Sequence, residues 1–340
     1  MRQTLCPAML ISWLLLAGHP SGAQSGYKPE KVFHIPGSAD WDYLTVDETS
    51  DKLYVTHWTR VDIRNKFTGD SIAVIPNTTG VHGVALAPAF GKGYTSNGRL
   101  NNVTVFDLAT ARIIIRVATG QGPDAIFYDD YSKKVVICNG DGKSLSIIDP
   151  TGDKIVATVP LPGKPETAVS DGAGRIFVNL EDKSSIAVVD AAKYTVVSEW
   201  PLAPGKTPHG LAIDRKTLRL FAGCQNQQLI VMDANNGKIV SAPVIGNGSD
   251  GVAFDNSSHY IYSSNGEGTL TVIEEVSKDD YKVVQQISTR PGARTLAVDR
   301  LTHRVYLPFA EMIGTPKQGE WPDFKDGTFQ VLVLEKNSKN

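Results

Sequence analysis

The sequence predicts an all-β fold: a seven-bladed β-propeller with four antiparallel strands to a blade. Three observations carry this. One phrase, a polar residue followed by an alternating apolar strand and usually an Asp, returns seven times, its copies 40 to 44 residues apart. A period of about 42 residues holding four short strands, with turn residues between them, is the sequence mark of a propeller blade. No stretch shows sustained 3.6-residue apolar periodicity, so helix is expected to be scarce. A length of 340 residues allows one large domain or two ordinary ones. Seven copies of one unit make it one domain, over residues 30–335.

The inner strands are expected at 42–47, 82–86, 124–129, 166–171, 209–214, 250–255 and 294–299. A second strand follows each, as at 53–56 and 261–264, and a third commonly ends in Asp, as at 103–107 and 145–149. A turn then leads to a fourth strand, such as 154–159. The seventh copy runs out after its third strand at 329–335, while residues 30–35 form a strand with no blade of their own. Pairing the two would close the ring and hide strand edges that otherwise invite aggregation.

Residues 1–23 read as an export signal. Arg2 precedes a short apolar run over 8–17 broken only by Ser12, and Ser21 and Ala23 are small residues suited to cleavage after Ala23. The expected location is periplasmic or secreted, with 24–29 a short linker and 336–340 a tail. No apolar run is long enough for a transmembrane helix, so no membrane span is expected. With 41% hydrophobic and 21% charged residues the chain can bury a core. A net charge of −2 leaves no basic footprint, which argues against duplex nucleic acid as a partner. Cys138 and Cys224 lie two blades apart with a whole blade between, so both are expected reduced and buried, export notwithstanding.

The run Leu53-Tyr54-Val55-Thr56-His57, with looser copies at Tyr94-Thr95-Ser96-Asn97 and Tyr262-Ser263-Ser264-Asn265, resembles the YVTN β-propeller repeat family, the YncE-like proteins. Ser185-Ile186-Ala187-Val188-Val189-Asp190 resembles the second half of that repeat. The resemblance covers about residues 31–335 and implies the fold, since the family has no common activity to carry over. Leu180, Cys224 and Phe309 stand where the repeat has Asn.

In a propeller the inner strands line the channel, and the second strand runs back to the face where the first began. The start of each inner strand and the end of each second strand are therefore expected at one mouth. The pairs are Asp42/His57, His82/Asn97, Asp124/Asn139, Glu166/Glu181 (or Leu180), His209/Cys224, Asp250/Asn265 and Arg294/Phe309. The inner-strand starts form a ring of charge −3 with neutral histidines. A mouth of one sign focuses potential and favours cations, and crowded carboxylates raise each other's pKa values. Two histidines among carboxylates also suit a divalent metal, the only cofactor the sequence suggests. Against this, any wide, water-filled channel has a polar lining, and its carboxylates also serve as acceptors for backbone.

The Asn97-Gly98, Asn139-Gly140 and Asn265-Gly266 pairs read as tight turns with positive φ. Asp107, Asp149, Asp190 and Asp233 read as turn formers. Trp41 is expected to pack between blades, Trp58 to offer an exposed contact at the mouth, and Trp321 to lie near it. Residues 310–328 replace a short turn in the last blade and read as a lid or a disordered loop.

No H-E-x-x-H, nucleophile elbow, C-x-x-C or haem-attachment motif occurs in the sequence. The function expected is an exported, monomeric binding or scaffolding protein for a small molecule, a cell-envelope polymer or a protein. The alternative is a metal-dependent, lactonase-like lyase or hydrolase at the mouth, with His82, His209, Asp124 and Glu166 as ligands or acid–base groups. The ring puts His82 and His209 almost opposite each other, which counts against one ion reaching both.

Overall fold

The computed structural model describes residues 26–314 and 322–337. The export signal and Trp321 lie outside the described residues. The chain forms seven four-stranded antiparallel sheets, each the unit of one blade. Blade 1 runs Leu44–Val46, Lys52–His57, Arg60–Asn65 and Ser71–Ile75 from the channel outwards. Blades 2 to 6 repeat that order. Helix among the described residues is limited to three 3₁₀ turns, Pro88–Phe90, Gly98–Leu100 and Glu181–Lys183.

Blades adhere through their second and third strands. At one equivalent second-strand position stand Tyr54, Tyr94, Val136, Phe177, Phe221, Tyr262 and Tyr306, each shut away from solvent. Tyr54 shows the pattern, packing with Val81, Val84 and Phe106 of the next blade. Each such side chain contributes about 1.5–3 kcal/mol by leaving water, so the interfaces between blades are the core. Gly93 is required there: a Cβ at that position would lie 2.1 Å from the Phe106 ring. The outer strands instead alternate between exposed and half-buried, as in Thr195–Pro201.

The last blade is built from both ends of the chain. Ala297–Asp299, Arg304–Phe309 and Gln330–Lys336 are completed by Tyr27–His34, paired antiparallel from His34 opposite Gln330 to Tyr27 opposite Lys336. The seam is longer than the sequence suggested. It begins at Tyr27 rather than residue 30, within the expected linker, and it takes in Lys336 from the expected tail. Tyr27 is what extends it. Its hydroxyl lies 2.7 Å from that of Tyr262, and the Gln285 side chain accepts from its N–H and donates to its C=O.

Cys138 and Cys224 are free and buried, and burial pushes both thiols up, Cys224 to about 12. Asp107, Asp149, Asp190 and Asp233 each accept backbone N–H bonds in the turn that follows, as expected. The Asn-Gly pairs do not behave as expected. Four residues, not two, join the second and third strands of blade 2, and the left-handed residue is Asn101, with φ 50°. Lys143 (φ 42°) and Gly268 (φ 101°) take that place in blades 3 and 6, while Gly98, Gly140 and Gly266 are not at positive φ.

Candidate functional site: an acidic cup at one mouth

All seven ring residues, Asp42, His82, Asp124, Glu166, His209, Asp250 and Arg294, face one cavity of about 750 Å³. Trp58 and Glu181 join them, so nine of the expected residues meet at one mouth. The ambiguity in blade 4 resolves with both candidates placed. Leu180 ends the strand and is buried, while Glu181 begins the next turn and faces the cavity.

His57, Asn97, Asn139 and Asn265 do not face the cavity, which corrects their expected place. The residue across from each Asn is the one before the ring residue: Val81 for Asn97, Pro123 for Asn139, Ser249 for Asn265. Successive side chains on a strand point to opposite faces, so a ring residue and its Asn are on opposite sides. The asparagines instead tie strands within the blade. Asn97 Nδ2 donates to Asn102 Oδ1 (2.8 Å) and Thr104 Oγ1 (2.9 Å), and its Oδ1 accepts from Thr95. Asn265 repeats this with Thr269, Thr271 and Ser263. Asn139 donates to Ser144 and Ser146, but Ile137 stands where Thr95 and Ser263 stand, so its Oδ1 is left without a partner. His57 is buried between Asp62 Oδ2 (2.7 Å) and the Ser38 carbonyl (2.6 Å).

Two positions before the ring residue, the entry loops carry Gly80, Gly122, Gly248 and Gly292 at positive φ in four blades. Blades 1 and 4 place Asp40 and Lys164 there, and both line the cavity. Arg99 adds a second cation, 6.0 Å from the Trp58 ring. Trp58 is half-buried and held at φ 50°, an unusual conformation for a bulky side chain. Trp41 is buried against Phe324 (4.6 Å) and Phe329 (5.3 Å), the packing role expected of it.

The described parts of the blade 7 loop pack against the mouth. Met312 bridges to Phe324, Asp326 accepts from the Ala39 N–H (3.0 Å), and Pro322, Asp323, Phe324 and Asp326 complete the cavity wall. Among the described residues the wall thus carries eight carboxyl groups against three fixed cations, Arg99, Lys164 and Arg294, and two histidines. Below the ring, the Tyr43 hydroxyl reaches across from blade 1 to Thr167 Oγ1 of blade 4, 3.1 Å away. Burial, reinforced by the carboxylates around it, raises the Tyr43 phenol far above its usual range, so it stays neutral.

The ring residues gather into two clusters. In the first, His82 Nδ1 lies 2.6 Å from Asp42 Oδ2 and 3.6 Å from Asp124 Oδ1. Burial opposes the imidazolium, but Asp124 and Asp42 outweigh it and hold His82 up at about 9. Burial also lifts Asp124 to about 6, against the pull of His82. In the second, His209 Nδ1 lies 2.9 Å from Asp250 Oδ1 and 3.5 Å from Glu166 Oε1, with Nε2 3.7 Å from Glu181. Arg294 Nε donates to the other Asp250 oxygen at 2.8 Å. Burial alone would raise Asp250, yet His209 and Arg294 bring it below the usual carboxylate range. Glu166, without such donors, is pushed well up by burial and by the neighbouring Asp124 and Asp250. The two histidines therefore belong to separate clusters, each set between carboxylates of its own.

The fold and this mouth define a class: a seven-bladed β-propeller whose channel opens, at one end, into an acidic cup bearing two histidines. No protein-family model matches the sequence, and no curated protein matches it. Among solved structures the chain is similar to Kuenenia stuttgartiensis hydrazine synthase, with a TM-score of 0.71 at 14% identity over 81% of this chain and 94% of that one. At that identity the likeness shows the propeller fold, and function has to be argued from the site.

Proposed function

We propose that the protein is an exported propeller of the YVTN-repeat, YncE-like kind that binds a cationic ligand in the acidic cup. A propeller suits a binding role, since its blades form a rigid frame that carries side chains from seven loops to one mouth. The observation that carries the reading is the excess, among the described residues, of eight carboxyl groups over three fixed cations and two histidines around one cavity. Low-dielectric walls concentrate such a field and raise the local concentration of the opposite charge. Asp124 and Glu166 are raised first by burial and then by the neighbouring carboxylates, and an incoming positive charge would favour their ionised forms. Trp58, on the wall with the Arg99 guanidinium 6.0 Å from its ring, adds aromatic surface beside the cup. The pattern over residues 1–23 supports export, and among the described residues no helix is long and apolar enough to cross a membrane.

The test is calorimetry in EDTA with spermidine as the cation and citrate as the anion, at low and high salt. Spermidine is expected to bind and to weaken as salt rises, and citrate to give no heat. Asp40→Asn and Glu181→Gln, which each remove one wall charge, are expected to weaken spermidine severalfold. Equal binding of both probes, or of neither, overturns the reading.

A further inference from the structure

We infer that Asp42, His82 and Asp124 form a site for one divalent transition-metal ion, open to the cup. The inference uses the same cavity as the cation reading but stands on the geometry of three residues. Blades 1, 2 and 3 each supply one side chain, and one ligand atom from each lies within 4.8 Å of the other two.

The distances suit a small ion. A tetrahedral ion with bonds of about 2.1 Å needs ligand atoms about 3.4 Å apart. His82 Nδ1 and Asp124 Oδ1 are 3.6 Å apart, and the Nδ1 to Asp42 contact of 2.6 Å has to open by about 0.8 Å as the ion displaces the Nδ1 proton to solvent. The His82 ring is already seated for this. Its Nε2 lies 2.7 Å from where a Gly98 Cβ would be, so any larger residue at 98 would displace it.

A second observation points to an unmade bond. Asp124 Oδ1 is shut off from solvent and accepts no hydrogen bond, with His82 Nδ1 at 3.6 Å too far to donate one. A buried acceptor left unmade carries a penalty of about 1–3 kcal/mol or more when charged, and a metal bond would remove it. The Glu166–His209–Asp250 cluster has the same ligand types at similar spacing. There, however, Arg294 donates directly to Asp250 at 2.8 Å, so a protein cation is already bonded to one of the three ligand side chains.

The donor set names the class of ion. One imidazole nitrogen with two carboxylates and no thiolate suits Zn²⁺, Mn²⁺ or Co²⁺ better than Ca²⁺ or Mg²⁺, which take oxygen alone. Three protein ligands leave a fourth position, and His82 is exposed enough on the cup side (35%) for water or a ligand to reach it.

The experiment is Zn²⁺ titration of the full chain, stripped with EDTA and then freed of it, followed by calorimetry and by melting temperature. One equivalent is expected to bind and to raise the melting temperature. His82→Ala and the near-isosteric Asp124→Asn are each expected to lose at least tenfold in affinity, and His209→Ala less than threefold. Far-UV circular dichroism shows that each variant folds, and with Co²⁺ the visible absorption of a four-coordinate ion is expected in the wild type and absent in Asp124→Asn. No stoichiometric Zn²⁺ in the wild type overturns the inference, as does loss in His209→Ala with retention in His82→Ala. Spermidine binding in EDTA is read separately, so failure of the metal site and failure of the cation cup are distinct outcomes.

Discussion

The Asp42–His82–Asp124 and Glu166–His209–Asp250 clusters are built from the same parts and end in different electrostatic states. In both, a histidine from one blade is held between carboxylates of its neighbours on either side. The second has Arg294 bonded to Asp250, and its histidine side chain is 13% exposed, against 35% for His82. The first keeps a buried carboxylate oxygen with no hydrogen-bond partner. One arginine from the seventh blade thus bonds directly to the second cluster and reaches the first only through space, by attraction to Asp42 and repulsion of His82. A polar cluster's role is set less by its members than by whether the protein supplies their counter-charge.

That contrast is tested by charge-removing variants in metal-free protein. The largest effect is expected from Asp250→Asn, which removes the buried carboxylate charge that Arg294 and His209 share. Breaking a buried ion pair by removing one partner costs about 3–5 kcal/mol, so urea unfolding should show a loss of about 3 kcal/mol. A loss as small as that of an exposed pair would erase the distinction between the clusters.

His209→Gln sharpens the comparison through pH. Burial works against the His209 imidazolium, but Asp250 and Glu181 hold its pKa above the usual 6.5. A pKa raised on folding stabilises fully below the unfolded value, and the gain is lost as pH climbs through the folded one. The wild type should therefore exceed His209→Gln by about 2 kcal/mol near pH 5–6, the gap closing on the alkaline side. A gap independent of pH from 5 to 10 would mean that the imidazolium is not what the second cluster holds.

Asp42→Asn should cost only about 1 kcal/mol, because its partner His82 is more than a third exposed and solvent screens the pair. Glu166→Gln should be the mildest, within about 0.5 kcal/mol at neutral pH, since burial and the neighbouring Asp124 and Asp250 already disfavour its charge and Gln replaces it nearly atom for atom. A large loss there would show that Glu166 is ionised.

The repeat made most of this legible. A fixed position in seven copies gave the blades, the seam and the ring at once, because equivalent residues of a closed repeat must share one face. What escaped depends on a single step of register. Spacing alone placed the Asn97, Asn139 and Asn265 backbones at the right end of the blade but not the sides their side chains take. Asp40 and Lys164 had a signal, for they replace the glycine that stands two residues before the ring residue in blades 2, 3, 6 and 7. Asp323 and Asp326 come from an irregular loop with no counterpart in the other blades, so no periodicity could locate them. Nor could any local pattern pair Tyr43 with Thr167, 124 residues away.

That last contact changes the molecule's mechanics. Once the Tyr27–His34 strand peels away, only the interfaces between consecutive blades keep the first blade near the fourth along the circumference. The Tyr43–Thr167 spoke does so across the diameter. It leaves blades 1 to 4 braced as an arc, with the first cluster still assembled after the fastening is undone.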